Sequence, residues 1–523
     1  MKQIEKLKQY KNYFVLFISI ILLFIILQLL NNVSSMYVDF LGNRVKATET
    51  VLIEKNKEYY LSYKYIKDNI DDEIYFDNIS KKAVISSNQG LFKVKVNDKN
   101  ITVNFENNTL NNEGVIEHED KYISLEVIKQ AYNLDNTVCN NTIYLYKENE
   151  SIGKVKYNNV SVHKKNKKNS GIVGYVDKKD KISVLFEKGN FVFVKINGKE
   201  VGYILKNALK YKTQENEEKE EVLKNSVYFF ADSNSKHIDI DINIKGFLVD
   251  MFSITKISTE INENNINTEL LNNIRKKDIK VYGMINNGYD LAGFNTTTTS
   301  QILADESKRI NSINNINEKI KKYNLDGVVI DFRKLKEKDI DNYIQFIKEL
   351  KAFIKKDVVV NISADEYKQY IPVINYADFS IVNAYGQRNL KSTVSGSVSE
   401  INWMKEIISN CLKSARSEKI VIGIPSYSIL WTEKNSNVVD SEIYNLKAIQ
   451  NYIEKNKLET KNTNGQNYAE LKKGSLTYRL WLEDEYSIKN RLEIIKEKEI
   501  TGIAIYKLGY ENDSLIDILK NNY

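Results

Sequence analysis

Leu325-Asp326-Gly327-Val328-Val329-Ile330-Asp331-Phe332-Arg333 is a short apolar run, rich in β-branched residues, that ends on charge. The polar turn Lys321-Lys322-Tyr323-Asn324 precedes it. Such a run between helical patterns predicts a buried parallel strand. Side chains alternate faces along a strand, so Val329, Asp331 and Arg333 share one face and Val328, Ile330 and Phe332 the other. One face is apolar throughout. The other turns polar only at the C-terminal end, where α/β barrels build their sites.

From Asn225 on, eight apolar strand candidates follow one another: Val227–Phe230, Gly246–Met251, Lys280–Ile285, Gly327–Phe332, Val358–Ile362, Phe379–Ala384, Ile420–Ile424 and Gly502–Tyr506. Helical spacing of 3 and 4 separates several of them, most clearly over Gln301–Tyr323 and Asp339–Phe353. Eight strands with helical connections over about 300 residues predict an α/β fold, a (β/α)8 TIM barrel spanning 225–523.

The central stretch resembles the signature of glycoside hydrolase family 18, the chitinase-like family, which reads Asp-Gly-x-Asp-x-Asp-x-Glu on the fourth barrel strand. Asp326, Gly327 and Asp331 match it; Val329 replaces an aspartate and Arg333 replaces the glutamate. Further segments resemble the YaaH-like branch of spore cortex-lytic and germination-associated enzymes. They are Lys280–Gly288, Lys419–Tyr427 with Trp431 after it, Trp481–Ile488, and Gly502–Gly509. The resemblance implies substrate-assisted hydrolysis, in which the 2-acetamido group of the sugar attacks its own anomeric carbon, an exception to the two-carboxylate scheme. It gives the strand-four glutamate the role of general acid and the neighbouring aspartate that of orienting the acetamide, helped by a Tyr-Asp pair on the sixth strand. Here that pair is Tyr385-Gly386, and the last-strand tryptophan that floors the sugar subsite is Tyr506. An arginine has no proton to give near neutral pH. Asp331 and Tyr385 are thus remnants of the catalytic set, with Asn286, Tyr427, Trp431 and Tyr506 as candidate substrate-binding residues. The simplest local outcome is an Asp331–Arg333 ion pair. Glu366, Glu433, Glu483 and Glu511 lie after strands five and seven, before strand eight and after it, but nothing in their spacing aims any of them at the scissile bond to replace the lost one. Core packing at the barrel rim is the alternative role for the aromatics, Trp481 above all.

Ahead of the barrel, Tyr13–Leu30 is an uncharged apolar run of 18 residues, about 27 Å of helix, preceded by Lys2, Lys6, Lys8 and Lys11. The positive-inside rule gives a cytoplasmic tail (1–12), a transmembrane anchor (13–30) and outward-facing domains. A cleaved signal peptide is the rival reading, and no Ala-x-Ala site supports it. Residues 37–150 alternate strand patterns with turns around Lys121-Tyr122-Ile123-Ser124-Leu125 and a helical piece, Leu125–Tyr132. They resemble the copper amine oxidase N-terminal-like domain, a reused module that carries neither copper nor catalysis. Residues 151–212 read as about five short strands with Gly171, Gly174, Gly189, Gly198 and Gly202 at turns, and Glu200–Ile204 resembles the closing strand of bacterial SH3-like domains. This segment holds 15 Lys and 4 acidic residues, net +11 in a chain of net +7. A solvated face is one account of that charge; attraction to an anionic wall polymer is the other. Residues 213–224 read as a charged linker.

Cys139 and Cys411, the only two cysteines, fall in different predicted domains, which excludes a disulfide framework. His118, His163 and His237 have no ligand spacing, so neither metal nor cofactor is expected. Nucleic acid is not an expected partner on the outer side of a membrane. The sequence thus describes a single-pass envelope protein whose barrel binds N-acetylated wall glycan, peptidoglycan above all, without cleaving it. An active hydrolase of such glycan is the alternative, and an envelope protein-assembly platform the third reading.

Overall fold

The computed structural model describes residues 36–77, 80–147, 151–198, 200–211, 226–235, 240–254, 261–290, 293–500 and 502–522. The expected tail, apolar span and linker, and His237, lie outside these residues. Among the described residues no helix is long and apolar enough to cross a membrane. The chain divides into two compact units, 1–217 and 218–523.

In the second unit eight parallel strands close into a barrel: β1 (Ser226–Ala231), β2 (Ile244–Ile254), β3 (Lys280–Asn286), β4 (Gly327–Asp331), β5 (Asp357–Ile362), β6 (Phe379–Asn383), β7 (Ile420–Pro425) and β8 (Gly502–Tyr506). Each strand pairs with its sequence neighbours, and β1 pairs with both β2 and β8, which removes every edge. The interior is filled by Tyr228, Leu248, Tyr282, Val329, Val359, Phe379, Ile381, Val421 and Ala504. Val329 therefore points inward, as its parity with Asp331 and Arg333 requires. Phe332 points the other way and packs against Tyr343 and Phe346. Gly327 is needed for close approach, since a Cβ there would lie 2.5 Å from the Asp357 carbonyl oxygen and 2.8 Å from the Tyr282 ring. Asp326 accepts from the Val281 backbone N–H at 2.9 Å, tying the start of β4 to β3.

The single helical pattern expected over Gln301–Tyr323 is in fact two helices, α1 (Thr296–Ala304) and α2 (Glu306–Tyr323). Asp305 breaks the run because its extended backbone and carboxylate, which accepts from the Lys308 N–H at 3.0 Å, make it an N-cap. The next helix, α3 (Ile340–Ile354), lies where its spacing placed it. Between β7 and β8 an antiparallel five-stranded sheet is inserted, in the order Asn437–Asn445, Tyr427–Lys434, Leu476–Leu482, Gln466–Lys473, Lys461–Thr463, with helix Leu446–Asn456. After it, α4 (Glu485–Glu497) starts on an Asp484–Ser487 capping box.

In the first unit Tyr37–Phe40 pairs in parallel with Thr142–Lys147, so the first and last strands of that stretch close on each other. Ser62 and Ser124 each end a strand and cap the helix that follows, accepting from Tyr65 N at 3.1 Å and Val127 N at 3.2 Å. The second helix is the expected Leu125–Tyr132; the first, Tyr63–Asn69, was not legible, being only two turns long. Residues 151–210 form seven strands rather than about five. Gly189 and Gly198 sit at turns with positive φ, whereas Gly174 and Gly202 lie inside strands. At Gly202 the reason is contact rather than turning, because a Cβ would meet Val162 at 2.3 Å.

Candidate active site

The barrel mouth is assembled from the last residue or two of successive strands. Asp331, 6% exposed, ends β4. Its Oδ1 accepts from Arg333 Nε at 2.9 Å and from Asn361 Nδ2, on β5, at 3.0 Å. Asn383, on β6, donates in turn to Asn361 Oδ1 at 3.1 Å. A polar row therefore crosses three neighbouring strands, and at its end Asn383 Oδ1 is buried with no acceptor role filled by any described residue. Asp331 Oδ2 likewise accepts from no described residue.

On the opposite side of β4, Asn286 of β3 stands in register with Asp331 and donates to Asp250 Oδ1 at 3.1 Å. Asn264 donates to the same oxygen at 2.9 Å. Burial raises the Asp250 carboxyl above the ordinary carboxylate range; these hydrogen bonds oppose the rise and the Asp331 charge adds to it. Two carboxylates thus face the mouth within electrostatic reach of each other.

Arg333 is anchored twice. Its backbone N–H donates to Asn287 Oδ1 at 3.0 Å and its carbonyl accepts from Asn287 Nδ2 at 2.8 Å, and Asn287 is fully buried. Among the described residues, its side chain is anchored by Asp331. Burial disfavours the guanidinium charge, but the adjacent Asp331 more than offsets this, so its pKa lies above the usual arginine value. The expected ion pair is present, and Arg333 remains a cation at any physiological pH.

Tyr385, Tyr427 and Tyr506 pack against one another, and Tyr385 and Tyr506 lie within electrostatic reach of Arg333. Ring centroids are 5.1 Å apart for Tyr385–Tyr506, 5.9 Å for Tyr427–Tyr506 and 6.5 Å for Tyr385–Tyr427. Burial, then the neighbouring phenols, push the Tyr385 hydroxyl well above its ordinary value, so it is a neutral hydrogen-bonding group. Trp431 belongs to the same apolar cluster but is 0% exposed, and its indole N–H donates to the Gly396 carbonyl at 2.9 Å. It packs the inserted sheet against the rim, because its strand turns that face inward. Half-buried Trp481 packs against the same cluster.

The four other acids divide clearly. Glu483, fully buried, pairs with Arg491 at 2.6 Å, and Glu433 pairs with Arg479 at 2.9 Å. Glu511 accepts from the Gly509 N–H at 2.7 Å. Only Glu366 acts on the site: it accepts from the Lys334 N–H at 2.6 Å and bears electrostatically on Arg333. Sequence reading missed Asp250, Asn361 and Asn383. The signal was present, because each is a polar residue in an apolar strand, two residues after an inward-facing Leu248, Val359 or Ile381.

The family profile described as Glycosyl hydrolases family 18 matches residues 244–511, half of the chain. The chain belongs to this family. Among its relatives, the uncharacterized glycosylase YvbX of Bacillus subtilis is 26% identical over 264 residues, 47% of this chain and 76% of that protein. The cortical fragment-lytic enzyme of Bacillus subtilis is 23% identical over 227 residues, 40% of this chain and 52% of that enzyme. This chain therefore spans about half the length of the latter. The fold is that of the Bacillus cereus spore cortex-lytic enzyme SleL, at a TM-score of 0.50 and 18% identity over 62% of this chain and 78% of that one.

Proposed function

We propose that this family 18 barrel binds N-acetylated wall glycan, peptidoglycan above all, without cleaving it. One observation carries the reading: the position of the general acid is held by Arg333, locked to Asp331 at 2.9 Å. A guanidinium cannot protonate a leaving oxygen, and its charge opposes the positive charge that develops on the sugar. Asp331 Oδ2 stays open to an acetamide N–H, and Tyr385 and Tyr506 offer aromatic faces to a sugar ring. The resemblance to cortex-lytic enzymes supports glycan as the ligand class. Ahead of the barrel in the chain, the apolar span 13–30 is a membrane anchor, residues 37–150 a copper amine oxidase N-terminal-like spacer or wall-binding module, and residues 151–212 a basic SH3-like module that meets anionic wall polymers. Purified protein incubated with defined peptidoglycan fragments should retain them and release no new reducing ends. Turnover abolished by Asp331→Asn would overturn the reading.

Hydrolysis through a relocated acid is the second reading, and Glu366 favours it. Burial raises its carboxyl above the ordinary range, as suits a general acid, and it stands beside Arg333. On this reading Glu366→Gln removes a turnover that the unaltered protein shows.

A further inference from the structure

The guanidinium of Arg333 is only half used. Nε is committed to Asp331, while among the described residues nothing accepts from Nη1 or Nη2. Its side chain keeps 28% of its surface open. The backbone clamp by Asn287 and the side-chain bond to Asp331 leave this free end fixed in place. A planar pair of N–H₂ groups, pre-oriented and charged, is the donor geometry that a carboxylate accepts bidentately. Beside it, Asp331 Oδ2 is an open acceptor.

An acceptor and a cationic fork joined by one 2.9 Å bond call for a ligand whose amide N–H and whose anion are equally close together. Resting on the glycan-binding reading above, we infer that the mouth selects a 2-acetamido sugar that itself bears a free carboxylate, the acetamide facing Asp331 and the carboxylate facing Arg333. A muramyl residue has this chemistry, since its lactyl ether on C3 adjoins the acetamide on C2; in a 2-acetamido uronic acid the carboxylate, carried on C5, lies across the ring from the acetamide and does not meet the spacing. Asp331, Asp250 and Glu366 are the negative groups that oppose an anion here, and the direct fork contact outweighs them because a charge-assisted bidentate bond is short-range and partly desolvated. The muramyl case has a consequence for reaction order. A stem peptide consumes the lactyl carboxylate as an amide, so the ligand is a peptide-free strand, the product of amide-bond hydrolysis.

Calorimetric titration of the full chain in detergent tests this. The ligands are a neutral N-acetylglucosamine oligomer, a β-1,4 N-acetylglucosaminyl-muramyl oligomer with free lactyl carboxylate, the same oligomer as its lactyl methylamide, and a 2-acetamido uronic acid oligomer. The free acid should bind at least about tenfold more tightly than the methylamide, the lower end for a hydrogen bond to a charged group. The uronic acid oligomer, whose carboxylate is remote from its acetamide, should bind no more tightly than the neutral oligomer; tighter binding than the muramyl acid would overturn the assignment. Arg333→Gln should abolish the preference while the neutral oligomer still binds; Arg333→Lys, with charge but no fork, should recover only part of it. Equal affinity for acid and methylamide overturns this inference and leaves glycan binding standing. No binding of any of the four overturns both. The acid-to-amide ratio of the unaltered protein decides the matter even where Arg333→Gln fails to fold.

Discussion

Gly386 stands where the family places an aspartate, and its φ is +86° with open space around it. A side chain there meets no atoms, yet it must adopt a left-handed backbone, which costs about 1 kcal/mol or more. Reinstating the acid is therefore a backbone problem as well as a chemical one. Arg333→Glu alone puts a second carboxylate beside Asp331, with Asp250 already near, and leaves the acetamide poorly held; it should yield little hydrolysis. The triple change Val329→Asp, Arg333→Glu, Gly386→Asp restores the whole set but buries a carboxyl where Val329 is 0% exposed. It should show more turnover than Arg333→Glu in a reducing-end assay and a lower Tm, of which Gly386→Asp by itself contributes about 2–4 °C. A triple variant as stable as the unaltered protein would contradict the strain at Gly386 and the burial at Val329 together.

At the scale of elements, α4 is held to the barrel by one buried network. Arg491 pairs with Glu483 and also donates to Ser399 Oγ at 2.8 Å, every partner being fully buried. Arg491→Met strands the Glu483 charge in the interior, and unfolding by urea should show a loss of about 3–5 kcal/mol. Glu263, on the short strand Ile261–Glu263 beyond β2, accepts from Lys319 and Lys322 at 2.8 Å each and from Tyr323 at 2.7 Å, all at the end of α2. Lys319, Lys322 and Tyr323 hold its carboxyl down at about 2, against 4.5 for a free glutamate. A depressed carboxyl stabilises the fold above the unfolded value and loses that contribution as pH falls from about 4.5 to about 2. Because Lys322 is more than half exposed, water screens the cluster and the contribution is at most about 1 kcal/mol. Stability of Glu263→Gln followed between pH 5 and 2 should decline less than that of the unaltered protein; an identical decline would remove this account.

For the whole molecule, charge and apolar surface predict attachment. Residues 151–212 carry net +11, and Ile152, Tyr157, Ile172, Val173 and Tyr175 in the same segment are exposed. The full chain should bind isolated cell walls, and binding should fall steeply as salt rises past physiological strength, where screening shortens to about 8 Å or less. A set of lysine-to-glutamine changes within 164–168 should weaken it; binding indifferent to salt would assign the contact to the apolar residues instead. The apolar span 13–30 predicts that external protease on wall-stripped cells degrades nearly the entire chain, with none released to the medium beforehand. Full protection would reject the orientation, and quantitative release would reject the anchor.

That Arg333 stands at the family's glutamate came from the resemblance of the stretch to the family signature. The eight barrel strands and the inward parity of Val329, Asp331 and Arg333 were legible in the sequence, because a buried parallel strand is a local pattern of β-branched residues with a two-residue period. The Asp331–Arg333 pair was legible for the same reason, two residues apart on one face. Other features escaped the local pattern. Asp305 splits a continuous helical pattern by capping, and Trp431, a plausible subsite aromatic by position, is packed away by an antiparallel sheet that the local pattern did not announce. Asp250, Asn286, Asp331, Asn361 and Asn383 lie up to 133 residues apart in the chain; barrel closure alone sets their strand ends side by side. Whether Arg333 merely neutralises Asp331 or also presents a free fork is decided by Asn287, which grips its backbone from the end of β3. Sequence determined that an arginine stands where the family signature has its glutamate; tertiary structure decided what that arginine is free to do, because hydrogen-bond donors count only where folding leaves them without a partner.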